Sequence, residues 1–596
     1  MILTPGLTFI ARILAGLGLF ALGAVCVRRI LDRYAVFLSN ALFLALSAVS
    51  IPALFAFLIL LRDARHRWHA AALGARMVPK VRGKWIGNLD ILKMMLDNHY
   101  RGYPADGLWE ATEARGPVFN MNILWDNMVF TSQPEHIQLI LATDFNNYVK
   151  GERFQKNMSA MLGIGVFNSD GNMWKFHRSM TRPFFVRDRV THFDTFDRHT
   201  NTAISLMKSR LRAGYAVDFQ DLIGRFTLDS ATEFLFGSCV NSLEAGIPYP
   251  DNSTLPALSS SLPTTSTNNL AREFSNAFLE AQDAISNRER FNLIWPLLEI
   301  RKDKTEEPMK ILNAFIQPIV TEAVEKMKNM QGLTSEEKED VEDNETLLDH
   351  LVKFTKDPVV LKDETLNIMI AGRDTTAATL TFVVYFLSTY PDITTRLRKE
   401  ILEMIGPSKR PSYDDIRGMK FLRAVINETL RLYPVVPFNV RESVHATTWP
   451  SPDPAQPPLY IPAGVKVPYS VFMMHRRKDL WGPDAEVFDP DRFLDERLKK
   501  YLSPRPFIFL PFNAGPRICL GQQFAYNEMS FFLIRLLQNF SSFTHLPELR
   551  PPRFEIPKEW KGAPGRKGID NFFPKMTLTM YAGGGLWIIA REVGDI

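Results

Sequence analysis

A single cysteine near the carboxyl-terminal end of the chain lies in a loop whose residue types suit a metal-bound cofactor. The sequence FNAGPRICLG contains Phe512, Gly515, Arg517, Cys519 and Gly521. A cysteine thiolate bound to haem iron pushes electron density towards dioxygen and favours its cleavage. Gly515 and Gly521 can adopt positive φ and let the backbone approach a flat cofactor, and Arg517 can donate to a haem propionate. The alternative is a structural cysteine buried beside a turn.

A long apolar segment, 358–390, predicts a buried helix that ends before Pro391. Its middle reads AGRDTT and includes Asp374 and Thr375, where a glycine and hydroxyl side chains can open a local bulge. Reduction of dioxygen in a dry pocket requires protons. Thr375 offers a hydroxyl donor, and Asp374 offers a carboxylate that can relay protons from solvent. The alternative for this string is an ordinary turn.

The loop and the helix together resemble two segments of the cytochrome P450 family. The loop matches the haem-binding pattern F-x-x-G-x-R-x-C-x-G, and AGRDTT is similar to the oxygen-activating segment. The resemblance implies that Cys519 is the axial ligand of haem iron and that the other four residues named in the loop bind the cofactor. It also implies catalytic roles for Asp374 and Thr375.

A third motif pairs Glu428 with Arg431, which would meet on one helix face. Most such pairs are exposed and contribute at most about 0.5 kcal/mol. The later sequence FDPDRF, however, resembles the family segment whose arginine completes a buried Glu–Arg–Arg cluster. The resemblance therefore assigns Glu428, Arg431 and Arg492 to structural support of the haem pocket. Loss of one member of such a buried network costs about 3–5 kcal/mol.

Haem propionates need cationic and indole donors, and three residues elsewhere in the chain are candidates. Trp174 and Arg178 share one helix face and resemble the W-x-x-x-R element of the family. Arg441 matches a third propionate-binding position. Taken singly, each arginine could equally be a surface residue. His177, between the first two, is predicted to have no special role, since a thiolate-ligated haem needs no proximal histidine.

The motifs occur in the family's order, which predicts a mainly α fold with small β-sheets, the cytochrome P450 fold, as one haem-thiolate domain over 91–596. The resemblance implies haem b, O2, and electrons from NADPH through NADPH–cytochrome P450 reductase. Residues 226–237 and 427–441 are most similar to fungal hydroxylases of n-alkanes and long-chain fatty acids. This favours hydroxylation near the end of a C12–C18 chain, with tolerance for aromatic hydrocarbons.

Two other functions stay open on the sequence. One is a haem-thiolate isomerase or dehydratase of oxidised lipids, and the other is a non-catalytic haem-binding protein. The pair Asp374 and Thr375 counts against both, because neither function uses a proton relay. Residues 435–438 and a turn at 583–585 predict an apolar pocket for a lipophilic substrate. The net charge of +5 gives no indication of nucleic-acid binding.

The first 61 residues predict a membrane anchor. Residues 35–61 carry no charge and could form a helix that crosses a hydrocarbon core of about 30 Å. A basic linker is predicted over 62–90, where residues 62–84 carry seven Lys and Arg against Asp63 alone. This charge distribution favours a cytosolic catalytic domain, and the family resemblance implies the endoplasmic reticulum membrane. The shorter run 13–27 could be an interfacial or re-entrant segment, a second span or a cleaved signal peptide. Three cysteines argue against a disulfide framework.

Overall fold

The computed structural model describes residues 3–185, 193–250, 266–329 and 345–594. Its α-helices, in chain order, are α1 Pro5–Arg33, α2 Asn40–Ala72, α3 Leu89–Arg101, α4 Leu108–Arg115, α5 Pro134–Gln138, α6 Glu152–Leu162, α7 Gly171–Thr181, α8 Asp194–Arg212, α9 Phe219–Phe236, α10 Ser266–Phe291, α11 Glu306–Asn329, α12 Leu347–Phe354, α13 Pro358–Thr389, α14 Pro391–Ile405, α15 Tyr413–Gly418, α16 Lys420–Leu432, α17 Val471–Met474, α18 Lys478–Trp481 and α19 Gln522–Asn539.

The strands are short and form small sheets. They are β1 Arg76–Met77, β2 Val118–Asn120, β3 Val129–Thr131, β4 Tyr148–Val149, β5 Val217–Asp218, β6 Phe438–Ser443, β7 Thr447–Trp449, β8 Leu459–Ile461, β9 Lys466–Ser470, β10 Phe540–His545, β11 Phe573–Met576, β12 Met580–Gly583 and β13 Trp587–Glu592. The largest sheet has the order β2-β3-β9-β6-β4, and the smaller ones are β1-β8-β7, β10-β13-β5 and β11-β12. The prediction of a mainly α fold with small β-sheets is confirmed.

Helix α13 runs through the middle of the hydrophobic core, with most of its side chains buried. Asp357 caps its first turn by accepting the N–H of Val359 at 2.9 Å, and Pro358 at the first helical position fixes the starting φ. The helix ends at Thr389, before Pro391, as the sequence predicts. It is α-helical throughout, so the bulge considered for its middle does not form. Helices α9, α16 and α19 pack against it.

The amino-terminal helices α1 and α2 are both long and apolar enough to cross a membrane, judged by length and composition. The apolar run 13–27 lies within the 29-residue α1, which at about 1.5 Å per residue is about 43 Å long. Most side chains of both helices are exposed, as suits contact with lipid. These apolar helices fit a membrane anchor.

The bounds of α2 differ from the prediction of a helix over 35–61 followed by a linker over 62–90. Residues 35–39 precede the helix, because Ser39 forms its amino-terminal cap and accepts the N–H of Leu42 at 3.3 Å. The helix then continues to Ala72, since the arginines after Leu61 are good helix formers and Gly74, with φ 61°, is the first residue suited to a reversal. The basic stretch therefore begins as helix.

Candidate functional site

A cavity of about 650 Å³ lies between α7, α13, β6 and the cysteine loop. Eight of the residues that the sequence singles out line this cavity: Trp174, Arg178, Thr375, Arg441, Phe512, Arg517, Cys519 and Gly521. They come from four parts of the chain that are far apart in sequence. The structure therefore brings the cysteine loop, the middle of α13 and the predicted propionate-binding residues to one place.

The cysteine loop is closed by its own backbone, since the N–H of Cys519 donates to the carbonyl of Phe512 at 3.1 Å. Gly515 has φ 68°, and a Cβ atom there would overlap the carbonyl oxygen of Leu141, so this position requires glycine. Gly521 has φ −82°, so the positive φ considered for it is wrong. Its place is instead the amino-terminal cap of α19, which starts immediately after the loop.

The Cys519 side chain faces the cavity, where its protonation state depends on competing effects. Burial raises the pKa of the Cys519 thiol above its ordinary value. The backbone N–H of Gly521 and the positive charge of Arg178 act in the opposite direction and are smaller. A bound metal cation would favour the thiolate, because coordination requires the deprotonated sulfur.

Arg517 is held in place from two sides. One of its Nη atoms donates to Asp170 at 2.7 Å and to the carbonyl of Ser169 at 3.0 Å. Its guanidinium also lies over the Trp174 ring, 4.5 Å from the centroid. Its Nε is buried and has no hydrogen-bond partner among the described residues. An acceptor inside the cavity would satisfy this donor.

Sequence reasoning missed Lys150, which precedes α6. It lines the cavity together with Arg178, Arg441 and Arg517. Burial lowers the pKa of Lys150 well below its ordinary value, and the neighbouring charges of Arg441 and Arg517 add to the effect. Burial and Arg441 also lower the pKa of Arg517 to about 10, and burial lowers that of Arg178. No motif marks Lys150, and its neighbours are about 290 and 370 positions away in the chain.

These residues fit haem. Burial is the main cause of the lowered pKa values of these cations, and repulsion by the neighbouring arginines adds to it. Asp170 is a nearby carboxylate that acts in the opposite direction, and further negative charge would offset the repulsion. The two propionates of haem would supply that negative charge and an acceptor for the free Nε of Arg517. Cys519, on the same cavity, offers the soft sulfur ligand that haem iron accepts.

The two predicted catalytic residues on α13 lie in different surroundings. Thr375 lines the cavity, and its hydroxyl donates to the carbonyl of Ala371 at 2.7 Å. Asp374 does not line the cavity; it accepts from Gln282 on α10 at 2.6 Å and from Arg373 at 3.2 Å. Burial raises the pKa of Asp374. The expectation that Asp374 relays protons directly from solvent is therefore not supported by its position.

The predicted Glu–Arg–Arg cluster is present and fully buried. Arg431 donates to both carboxylate oxygens of Glu428 at 2.7 and 2.8 Å, and Arg492 Nε lies 3.6 Å from Glu428. Arg492 also donates to Asp484 at 2.9 Å, so the network is larger than the motif indicates. None of the three predicted members lines the cavity, as expected for residues that support it.

The walls away from the cysteine loop are mostly apolar. Residues 435–438 line the cavity as predicted, together with Phe154, Phe234 and Ile368. The turn at 583–585 does not; the cavity is instead lined by residues 577–579, at the opposite end of β12. The glycines at 583–585 indicated a turn there, whereas the turn that lines the cavity, 577–579, contains no glycine. The prediction therefore chose the wrong turn.

The chain belongs to the cytochrome P450 family, whose pattern it matches over residues 88–558. It is 35% identical over 462 residues to cytochrome P450 monooxygenase pvhE of Talaromyces variabilis, covering 74% of this chain and 77% of that protein. It is 37% identical to cytochrome P450 52E1 of Candida apicola (69% and 75% covered) and 36% identical to cytochrome P450 52A3-A of Candida maltosa (71% and 77% covered).

Membership of this family makes the protein a haem-thiolate monooxygenase that acts on lipophilic substrates. Its cofactor is haem b, its oxidant is O2, and its electrons come from NAD(P)H through a reductase. The prediction of a monooxygenase, rather than an isomerase or a non-catalytic carrier, is confirmed.

Proposed function

We propose that Cys519 is the axial ligand of the haem iron and that Arg178, Arg441, Arg517 and Lys150 hold the propionates. The observation that supports this most directly is that these four cations line one cavity together with Cys519, with the Nε of Arg517 free to donate. Trp174 positions Arg517 by stacking on it. Phe512, Gly515 and Gly521 shape the loop that carries the ligand.

A thiolate-ligated haem bound here would supply the chemistry by which O2, two electrons and two protons give one oxygen atom in a C–H bond and one molecule of water. The protein's own part is to hold the substrate, exclude water and deliver protons. The apolar walls perform the first two tasks. The Thr375 hydroxyl, at the cavity surface, is the proton donor. Asp374 positions Thr375, because its contact with Gln282 ties this part of α13 to α10.

The proposed substrate is a C12–C18 fatty acid or n-alkane, hydroxylated at or near the chain end, with aromatic hydrocarbons also accepted. The apolar cavity and the apolar amino-terminal helices support this, because long alkyl chains partition into lipid before they reach the site. The similarity to yeast cytochromes P450 of the 52 group supports it as well.

We further propose NADPH–cytochrome P450 reductase as the electron donor and the endoplasmic reticulum membrane as the location, with the catalytic domain in the cytosol. The basic residues after Leu61 support this orientation. Reduction by an acidic partner docked near Cys519 should slow as ionic strength rises. A rate of reduction that is constant from low to high salt would contradict this docking.

The test of function is reconstitution with reductase and NADPH, followed by product analysis with lauric acid, hexadecane, a sterol and a polycyclic aromatic hydrocarbon. Hydroxylated laurate or hexadecane is expected; exclusive turnover of the sterol would overturn the substrate proposal. Cys519→Ser should lose both the thiolate spectrum of the carbon monoxide complex and product formation. Normal turnover by Cys519→Ser would overturn the assignment of the ligand.

A further inference from the structure

A second group of basic residues lines the same cavity. It is distinct from the four cations proposed to hold the propionates, Lys150, Arg178, Arg441 and Arg517. It consists of His99 at the end of α3, Arg290 at the end of α10 and Lys575 in β11. The three are adjacent: Arg290 Nη1 lies 3.1 Å from His99 Nε2, and Lys575 Nζ donates to the His99 carbonyl at 2.9 Å. Elements that are distant in sequence thus place two fixed cations and an imidazole on one patch of wall.

The two cations have no carboxylate partner. Among the described residues, neither Arg290 nor Lys575 forms an ion pair; Arg290 contacts the side-chain oxygen of Asn287 at 2.9 Å and the carbonyl of Met576 at 3.4 Å. Lys466, another cation of the cavity, differs in this respect because it is paired with Glu289 at 2.5 Å. Arg290 and Lys575 are half-buried, and cations that lose part of their contact with water are normally paired, so this patch has capacity for an anion.

Electrostatics supports the same conclusion. Burial lowers the pKa of Lys575 to about 8, with Arg290 as the next cause, and burial also lowers the pKa of Arg290. Burial and the two cations lower the pKa of His99 to about 3, so this imidazole is neutral at pH 7. Asp283 is the carboxylate that influences Arg290 and Lys575, and it is exposed.

The charges that chiefly influence this patch differ from those that chiefly influence Lys150. Arg290 is influenced by Asp283 and two tyrosines, and Lys575 by Arg290 and Asp283. The charges that act on Lys150 are those of Arg441, Arg517, Asp170 and Glu289. The haem propionates account for the first patch only.

We propose that Arg290 and Lys575 bind the carboxylate of a fatty-acid substrate. The inference rests on the proposed function and narrows it to an acid held by its head group. With the head group fixed on this patch, the alkyl chain extends along the apolar wall and its far end is the part presented towards Cys519. A fixed carboxylate would thereby select oxidation near the chain end, while an n-alkane would bind without this anchor.

The test compares lauric acid with 1-dodecanol, which has the same chain and no charge. Binding is measured by equilibrium dialysis with the full-length haem protein and the variants Arg290→Met and Lys575→Met. The Kd of laurate should rise about tenfold to a hundredfold, as expected for loss of a charge-assisted hydrogen bond, and that of dodecanol should change less than about twofold. Arg290→Lys should retain part of the affinity for laurate.

Lys93→Met is the matched control, because Lys93 is an exposed cation on α3, the same helix as His99. It should leave both affinities unchanged, and the carbon monoxide spectrum of every variant establishes that its haem site is intact. Equal weakening of laurate and dodecanol would overturn the proposal, as would unchanged laurate binding in both variants. If the wild type binds laurate through Arg290 and Lys575 but oxidises no fatty acid, the substrate proposal fails and the anion site stands.

Discussion

His177 Nδ1 lies 2.9 Å from a carboxylate oxygen of Glu364, and both side chains are completely buried. The contact joins α7, which carries two proposed haem-binding residues, to α13. Glu364 also accepts the N–H of Val166 at 2.9 Å and the hydroxyl of Thr181 at 3.0 Å. The pair therefore fixes the position of α7 relative to α13, the helix that carries Thr375. The prediction that His177 has no special role is wrong.

Replacing His177 with Leu should destabilise the protein by about 1–3 kcal/mol, because the buried Glu364 oxygen that faces the imidazole ring would lose this polar neighbour. The measurement is the midpoint temperature at which the carbon monoxide complex loses its thiolate spectrum. His445→Gln is the control, since His445 is exposed, and it should change stability by less than about 0.5 kcal/mol. Equal midpoints for the two variants would contradict a structural role for the pair.

The comparison of His177 with Cys519 indicates what a sequence can predict here. The cysteine loop and the pair Glu428–Arg431 are recognisable because their members are close in the chain and their spacing is fixed by local geometry. Glu364 and Lys150 escape this reasoning because His177, the partner of Glu364, and Arg441 and Arg517, the cations near Lys150, are more than 100 positions away. Only the folded chain brings Glu364 to His177 or Lys150 to Arg517, and no local periodicity encodes those contacts.

The membrane anchor shows a similar limit. The apolar character of both amino-terminal helices can be read directly from composition, but their ends cannot. Helix α2 continues through charged residues to Ala72 because backbone hydrogen bonds, rather than side-chain polarity, decide where a helix stops.

The site also departs from the pattern at Asp374, whose side chain turns from the cavity to Gln282 although its neighbour Thr375 faces inward.

Lys150→Met should have opposite effects on the haem-free and the haem-loaded protein. Removing one of several mutually repelling buried cations stabilises the haem-free form, whereas it weakens retention of haem by about tenfold through loss of a charged donor to a propionate. The measurements are the melting temperature of apoprotein and the rate of haem transfer to an excess of apomyoglobin. Lys156→Met, an exposed change in α6, is the control. Two effects of the same sign would refute the assignment of Lys150.

Thr375→Ala should still bind haem and substrate but lose coupling of electron use to product. Without the hydroxyl, product per NADPH should fall by at least about tenfold and hydrogen peroxide should rise to balance the electrons consumed. Thr375→Ser keeps the hydroxyl and should retain most of the coupling. Product, peroxide and NADPH are measured in the same reaction. Unchanged coupling in Thr375→Ala would mean that another group supplies the protons.

Glu428→Ala should cost about 3–5 kcal/mol, because Arg431 and Arg492 would remain buried without their shared carboxylate. The expected result is a protein with little haem after expression and a lowered melting temperature. Glu152→Ala removes a glutamate whose pair with Lys156 is highly exposed, and it should cost less than about 1 kcal/mol. If both variants melt at the same temperature, the buried cluster does not contribute as proposed.

Glu528 gives the protein a dependence of stability on pH that can be assigned to one residue. It lies on α19, fully buried, facing the hydroxyls of Ser230 and Thr376, and burial raises its pKa to about 8. In the unfolded chain its pKa is about 4.3. Between these two values the folded protein keeps a proton that the unfolded chain releases, so stability falls as pH rises through this window. Below the window the effect of Glu528 on stability is constant.

Glu528→Gln removes this titration and should therefore flatten the fall in stability between pH 5 and pH 8. The wild-type slope attributable to Glu528 approaches about 1.4 kcal/mol per pH unit, the value for one proton. Asp218, whose pKa burial raises to about 7, also titrates in this range but is present in both proteins, so its effect cancels in the difference. Denaturant unfolding at pH 5.5, 6.5 and 7.5 measures the difference. The variant should gain stability relative to wild type at each step, and parallel curves would mean that Glu528 is ionised in the folded protein.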